Sequence, residues 1–170
     1  MALRILSEVY AALMLMTDGF TCAGHVRILG LNLFPAHPPI GRLRHPYGGG
    51  PFAKLAMPRL PNEPGLYLWD VDGSIVYVGQ TRAPLSKRLG SNGYATISTY
   101  NTLAREPGKT NGGQQTNCRI NALANAALAE GKRIAIWYRV TATEVAASEE
   151  ARWMSTFGAA EWNRRTERLH

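Results

Sequence analysis

Residues 64–81 read PGLYLWDVDGSIVYVGQT, and this stretch decides the fold. Residues 66–69 and 75–78 are two short runs rich in aromatic and β-branched side chains, which is the composition of β-strands. Asp72 and Gly73 lie between them and form a dipeptide that favours a tight hairpin turn. The stretch therefore predicts a β-hairpin, and Tyr67 and Tyr77 lie side by side in it if both point to the same face.

Helical and strand patterns flank this hairpin on both sides. Apolar periodicity and capping residues predict further elements at residues 3–16 (helix), 25–34 (strand), 84–89, 97–104 and 116–129 (helices), 134–140 (strand) and from 143 onward (helix). This order predicts an α/β or α+β fold, with a small mixed sheet flanked by helices. A chain of 170 residues suits one globular domain overall, with an N-terminal extension at residues 1–63 and a core at residues 64–170.

The chain is basic, and its N-terminal third more so. Nineteen Lys and Arg outweigh twelve Asp and Glu, for a net charge of +7, which makes a nucleic-acid partner plausible. Residues 35–64 hold most of the prolines and a triple glycine, so we expect an irregular arm there. The arm has two open interpretations. It lies along phosphates through residues such as Arg42 and Arg44, or it is a linker that packs on the core.

The cysteines and the apolar runs indicate the compartment. Cys22 and Cys118 are the only cysteines, and their spacing suits neither a zinc site nor a disulfide framework. The apolar run near the N-terminus is shorter than a membrane helix requires. We therefore expect a cytoplasmic protein without a membrane segment.

A motif in several parts points to a family. Residues 64–67 (PGLY) are followed, after nine intervening residues, by residues 77–79 (YVG), and further on by Arg88, Glu150 and the pair Trp162-Asn163. These elements, in this order over roughly a hundred residues, resemble the paired motif and conserved positions of the GIY-YIG nucleases. The resemblance implies a nuclease core between residues 64 and 163, and a hydrolase that cleaves DNA phosphodiester bonds.

The resemblance also implies roles for individual residues. The catalytic set would be Tyr67, Tyr77, Arg88, Glu150 and Asn163. By the same resemblance Glu150 would bind one Mg²⁺ or Mn²⁺ ion per site, Arg88 would contact the scissile phosphate, and either tyrosine would position or deprotonate the attacking water. The chain departs from many relatives at Gln80, where they carry a lysine.

Each of these residues also has a structural interpretation. The tyrosines suit half-buried strand positions, Arg88 suits a helix end, Glu149 and Glu150 suit a solvated helix face, and Asn163 suits a helix terminus. Between the two glutamates we prefer Glu150 as metal ligand, because Trp153, Met154 and Phe157 follow it at the spacing of an apolar helix face.

A polar segment suggests how DNA would be read. Residues 114–121 are rich in side chains that can make two hydrogen bonds to a base edge, although the same segment also suits a capped polar helix start. The candidate DNA-contacting residues are Arg42, Arg44, Gln80, Lys87, Gln114, Gln115, Asn117, Arg119 and Asn121.

Together with the small size and basic extension, this segment makes the chain most similar to the compact Type II restriction endonucleases. That similarity implies double-stranded DNA as substrate, a homodimer, and a possible cognate DNA methyltransferase. The alternatives are a nicking, repair or mobile-element nuclease and a non-catalytic DNA-binding module.

Overall fold

The computed structural model describes residues 13–31, 44–90, 93–108, 113–158 and 160–163. Most of the helix expected at residues 3–16 lies outside these ranges, as does Arg42, while residues 13–17 are helical (α1). The described strands are β1 Thr21–His25, β2 Arg27–Leu31, β3 Ala53–Ala56, β4 Gly65–Val71, β5 Ser74–Thr81 and β6 Ile134–Val140. The other helices are α2 Leu85–Leu89, α3 Thr99–Thr102, α4 Gln115–Ala129 and α5 Thr143–Thr156, with 3-10 turns at Pro46–Gly49 and Glu161–Asn163.

The chain forms two compact units, each assembled from separated stretches. The first, here called the sheet unit, comprises Met1–Val26, Pro58–Ser86 and Lys132–His170. The second, the α4 unit, comprises Arg27–Met57 and Lys87–Gly131. The boundaries of these units do not fall between residues 63 and 64, where the sequence predicted the division between the extension and the core. The boundary after Ser86 falls inside α2, so Lys87 and Arg88 belong to the α4 unit.

The predicted hairpin is confirmed as β4 and β5. Asp72 and Gly73 both have positive φ, 50° and 85°, which is the geometry of a tight hairpin turn. The Oδ1 atom of Asp70 accepts a hydrogen bond of 2.7 Å from the Gly73 N–H and holds this turn. The local sequence is thus sufficient to explain the hairpin.

The sheet of this unit has the strand order β1-β6-β4-β5. All three described pairings are antiparallel, which corrects the expectation of a mixed sheet. The physical reason is that β4 lies between β5 and β6 and runs opposite to both. β5 and β6 are therefore parallel to each other without being hydrogen-bonded. The molecule is an α+β protein, and β5 lies at an edge of this sheet.

One face of the sheet holds the apolar core of the unit. Leu66, Leu68 and Val78 point to this face and pack with Trp137 and Trp153. Helix α5, which contains Trp153, packs against β4 and β5 here. Burial of these side chains, each worth about 1.5–3 kcal/mol, fixes the position of α5 on the sheet.

The α4 unit contains a second, smaller sheet. β2 and β3 pair antiparallel, so the expected irregular arm at residues 35–64 contains a strand and a 3-10 turn in its described part. Phe52, Ile97 and Cys118 form the apolar cluster of this unit. The sequence predicts Thr116 as the N-cap of helix α4, but the helix begins two residues earlier, at Gln115, with Gln114 at the N-cap position.

In the part of the chain that the structure describes, no helix is long and apolar enough to cross a membrane.

Candidate functional site

Tyr67 and Tyr77 form a stacked pair on one face of the hairpin. In the register of β4 and β5, Tyr67 lies opposite Gly79 and Tyr77 lies opposite Trp69, so the two tyrosines are diagonal neighbours. Their ring centroids are 6.1 Å apart and their planes differ by 29°. The side-by-side arrangement predicted for the two tyrosines is therefore present.

Gly79 forms the surface on which the Tyr67 ring lies. A Cβ atom at position 79 would come within 2.5 Å of Cζ and 2.6 Å of the hydroxyl oxygen of Tyr67. Such contacts are shorter than van der Waals separation, so only glycine leaves room for this phenol. Glycine is therefore required in the YVG stretch because the Tyr67 ring, from the PGLY stretch, occupies the space that a side chain at position 79 would fill.

Asn163 binds the free edge of β5 at Val78. Its Oδ1 accepts a hydrogen bond of 2.7 Å from the Val78 N–H, and its Nδ2 donates one of 2.8 Å to the Val78 carbonyl oxygen. The amide therefore satisfies both backbone groups of one edge residue, as a neighbouring strand would. Asn163 thus holds the edge of β5, and both polar atoms of its side chain are used in these two hydrogen bonds.

The segment that carries Asn163 passes around this edge. Ala160 belongs to the apolar core on the α5 face, together with Leu66 and Val78. Trp162 contacts Trp69 on the opposite face, with ring centroids 6.0 Å apart. Residues 160–163 thereby link the helix face of the sheet to the tyrosine face.

Glu149 and Glu150 reach the two ends of one row of residues on the sheet. Gln80, Leu66 and Arg139 are aligned across β5, β4 and β6 and share the face on which α5 packs. The two ends of such a row are roughly 9.5 Å apart, twice the strand spacing. Glu149 bonds Arg139 at one end, and Glu150 accepts a hydrogen bond from the Gln80 backbone N–H at the other.

The electrostatic surroundings of the two glutamates differ. The hydrogen bond from Arg139, together with the charges of Arg139 and Arg152, holds the pKa of Glu149 below its usual value. Burial raises the pKa of Glu150, and the Gln80 N–H only partly opposes this. Among the described residues Glu150 has no cationic partner. Glu149 is thus neutralised by arginine, whereas Glu150 is a half-buried carboxylate that forms no ion pair with any described residue.

The residues around Glu150 fit a hard divalent cation. The Oε1 atom of Gln80 is buried and has no hydrogen-bond partner among the described residues. Gln80 shares the α5 face with Val78 by strand alternation. Carboxylate and amide oxygens, completed by water, are the ligands that Mg²⁺ prefers. The described residues contain no cluster of three or more His, Cys, Asp or Glu side chains suited to a metal, so an ion here would depend on one carboxylate.

The tyrosines and the glutamate approach β5 from opposite faces. Tyr77 and Gly79 point to one face, and Val78 and Gln80 point to the other, where α5 lies. The backbone groups of Val78 and Gln80 share the free edge, because alternate residues of a strand present them to the same side. This edge, with Asn163 and Glu150 bound to it, is where the two faces meet.

Arg88 lies in the α4 unit and is held by two polar partners there. Its guanidinium donates hydrogen bonds of 2.9 Å to Asn117 Oδ1 and 2.8 Å to the Tyr94 hydroxyl. It also lies over the Tyr94 ring, 4.5 Å from the centroid. These contacts orient the arginine, which is half-buried, within its own unit.

Three asparagines on α4 form a buried polar stripe. Asn117, Asn121 and Asn125 follow one another at four-residue spacing, and all three are buried. Asn121 pairs with both backbone groups of Ala53 and also donates to the Tyr94 carbonyl oxygen at 2.7 Å. A base contact by Asn117 or Asn121 would require these internal bonds to break, so the structure gives both a structural role. The sequence signal was the regular spacing of the three asparagines.

The other candidate DNA-contacting residues have varied positions. Lys87, Gln114 and Gln115 are exposed, and Arg119 is half-buried. Arg44 is half-buried as well, with a long hydrogen bond of 3.4 Å to the Gly48 carbonyl oxygen. The exposed residues near the start of α4 are therefore the ones accessible to a ligand.

Comparisons of the chain with the models of known protein families, with curated proteins and with solved structures give no match.

Proposed function

We propose that this protein is a metal-dependent endonuclease that hydrolyses DNA phosphodiester bonds. The observation that carries the proposal is the free edge of β5, where Asn163 binds Val78 and Glu150, which forms no ion pair with a described residue, binds Gln80. The stacked tyrosines lie on the opposite face of the same strand. Four of the five catalytic residues that the GIY-YIG resemblance implies, namely Tyr67, Tyr77, Glu150 and Asn163, lie on this hairpin or contact it. Their convergence on one hairpin supports a common role.

The chemistry that these residues can perform follows from their types. Glu150 would hold one Mg²⁺ or Mn²⁺ ion, and a bound ion supplies Lewis-acid stabilisation of the phosphate. Tyr77 keeps an exposed fraction of 7% against 1% for Tyr67. We therefore assign the positioning of the attacking water to Tyr77 and the support of Tyr77 to Tyr67. Arg88 would neutralise charge that develops on the phosphate.

The substrate that we propose is double-stranded DNA, cut at a specific sequence by a homodimer in the manner of a Type II restriction enzyme. The net charge of +7 supports an anionic partner. Two copies related by a twofold axis suit a cut in both strands of a symmetric site. A DNA methyltransferase of the same specificity would then protect the host. The two free thiols, Cys22 and Cys118, suit the reducing cytoplasm.

Base reading would belong to the start of α4. Gln114 and Gln115 are exposed there, and glutamine can form two hydrogen bonds with adenine. Alanine at both positions should cost roughly 1–3 kcal/mol on the cognate site and relax the preference at one base pair. Alanine at exposed Lys87 should weaken binding to every sequence alike and reduce its salt dependence. Equal losses on cognate and scrambled duplexes for the glutamine variants would refute base reading.

Incubation of purified protein with supercoiled plasmid tests the activity. With Mg²⁺ we expect discrete fragments, and with EDTA no cleavage. Glu150→Gln should abolish cleavage, while Glu144→Gln, an exposed position on the same helix, should leave it unchanged. Nicked circles would favour the repair or mobile-element alternative, and intact plasmid with retained DNA binding would favour the non-catalytic module.

A further inference from the structure

Gln80 forms a hydrogen bond through its backbone, but the oxygen of its side chain forms none with the described residues. Its backbone N–H binds the Glu150 carboxylate, whereas its side-chain Oε1 is buried and accepts no hydrogen bond from any described residue. A buried carbonyl oxygen that lacks a donor destabilises a fold, so such atoms are rare in proteins. The side chain therefore lies where an additional electropositive group would be favourable.

The charges around Gln80 point to a cation rather than to a polar side chain. Across the sheet row the only guanidinium, that of Arg139, is bonded to Glu149 and to the Asp18 carbonyl oxygen. No Lys or Arg among the described residues forms an ion pair with Glu150. Within the described residues, the Glu150 carboxylate therefore lacks a cationic partner and the Gln80 amide oxygen lacks a hydrogen-bond donor.

We propose that Oε1 of Gln80 is a second protein ligand of the divalent ion that Glu150 binds, an inference that rests on the metal-dependent activity proposed above. Mg²⁺ and Mn²⁺ accept carboxylate and amide oxygens together, with water in the remaining positions. Gln80 stands where many GIY-YIG enzymes carry lysine. In this chain the position would add a ligand in place of a charge.

Binding of Mn²⁺ to the full chain, followed by the EPR signal of the free ion, tests the inference without an activity assay. Gln80→Met keeps the length of the side chain but removes the carbonyl, and Gln80→Glu restores an oxygen ligand. We expect Q80M to weaken Mn²⁺ binding about tenfold or more, since even groups one shell away from a metal contribute that much. Q80E should bind at least as tightly as the wild type, because a carboxylate replaces the carbonyl. The matched control is Glu144→Gln, which removes a carboxylate at an exposed position of α5.

Thermal unfolding in EDTA separates a ligand role from a structural one. Without metal, Q80M should melt at the same temperature as the wild type or higher, because the buried oxygen without a partner is gone. A structural role would instead lower the melting temperature. If Q80M does not fold, Q80E decides alone, and weaker Mn²⁺ binding by Q80E than by the wild type would overturn the inference.

Failure of this inference differs from failure of the proposed function. If the wild type binds Mn²⁺, Glu150→Gln does not, and Q80M binds as the wild type does, then Gln80 is not a ligand and the Glu150 site remains. If the wild type binds no Mn²⁺, the metal-dependent function is refuted and the role of Gln80 with it.

Discussion

The contact between Gly79 and Tyr67 makes the sharpest prediction, for the substitution Gly79→Ala. The new methyl group would lie 2.5 Å from Cζ of Tyr67, whereas ordinary contacts begin at 3.4 Å, so the ring must retreat by about 0.9 Å. The ring is almost fully buried and stacked on Tyr77, so it cannot move without disturbing its neighbours.

The expected magnitude follows from this overlap. Overpacking of this kind costs about 1–3 kcal/mol, which corresponds to a fall in melting temperature of about 2–12 °C for a chain of this size. If Tyr67 supports the water-positioning tyrosine, a shift of about 1 Å should also lower cleavage on the order of a hundredfold. Thermal unfolding measures the first effect, and plasmid cleavage measures the second.

Two further variants make this prediction specific. Gly30→Ala is the matched control, because a Cβ atom at this strand glycine would meet nothing within 4 Å. In a Tyr67→Leu background, Gly79→Ala should cost much less than it does alone, giving a coupling energy of about 0.5–3 kcal/mol. A Gly79→Ala variant with unchanged melting temperature would refute the packing of this ring over the glycine, whether or not the protein is a nuclease.

Three more predictions concern the edge and the cores. Asn163→Ala should lower the free energy of unfolding in urea by about 1–3 kcal/mol, because the strand edge loses two hydrogen bonds; an unchanged midpoint would contradict this role. Glu149→Gln should lower the free energy of unfolding by about 1–2 kcal/mol, because the ion pair with Arg139 is lost and this pair is neither fully exposed nor fully buried. Equal stability of the variant and the wild type would show that the pair contributes nothing. Burial raises the pKa of Cys118 to about 12, so iodoacetamide at pH 8 should label exposed Cys22 and spare Cys118 until the protein unfolds. Mass spectrometry measures the labels, and a label on Cys118 in the native protein would disprove this.

The hairpin and the strand at residues 134–140 could be predicted because their signals are local. The turn at Asp72 and Gly73 needs only two residues that tolerate positive φ. The partners of these strands could not be predicted in the same way. β1 pairs with β6 across more than a hundred intervening residues, and no pattern within either strand specifies that pairing. The same limit explains why β3 was hidden in a proline-rich segment, since its register depends on contact with β2.

The candidate site shows the same division between local and long-range information. The spacing of Tyr67 and Tyr77 predicted their proximity, because alternation and a tight turn determine it. The buried asparagines of α4 were read as possible base contacts, because their positions relative to Ala53 and Tyr94 depend on packing. Asparagine is equally suited to a base edge and to a strand backbone, so composition alone could not distinguish the two roles.

Asn163 and Asn121 form the same pair of side-chain to backbone hydrogen bonds, each in a different unit. Each amide accepts from the N–H and donates to the carbonyl oxygen of a single residue, Val78 in β5 and Ala53 in β3. A primary amide has the donor and acceptor pattern of a peptide group, so it can replace a neighbouring strand at one position. At Val78 this replacement occupies the Asn163 side chain and holds the edge to which Gln80 also belongs. In the function proposed above, Asn163 would therefore position the strand edge beside Glu150 rather than act on a substrate.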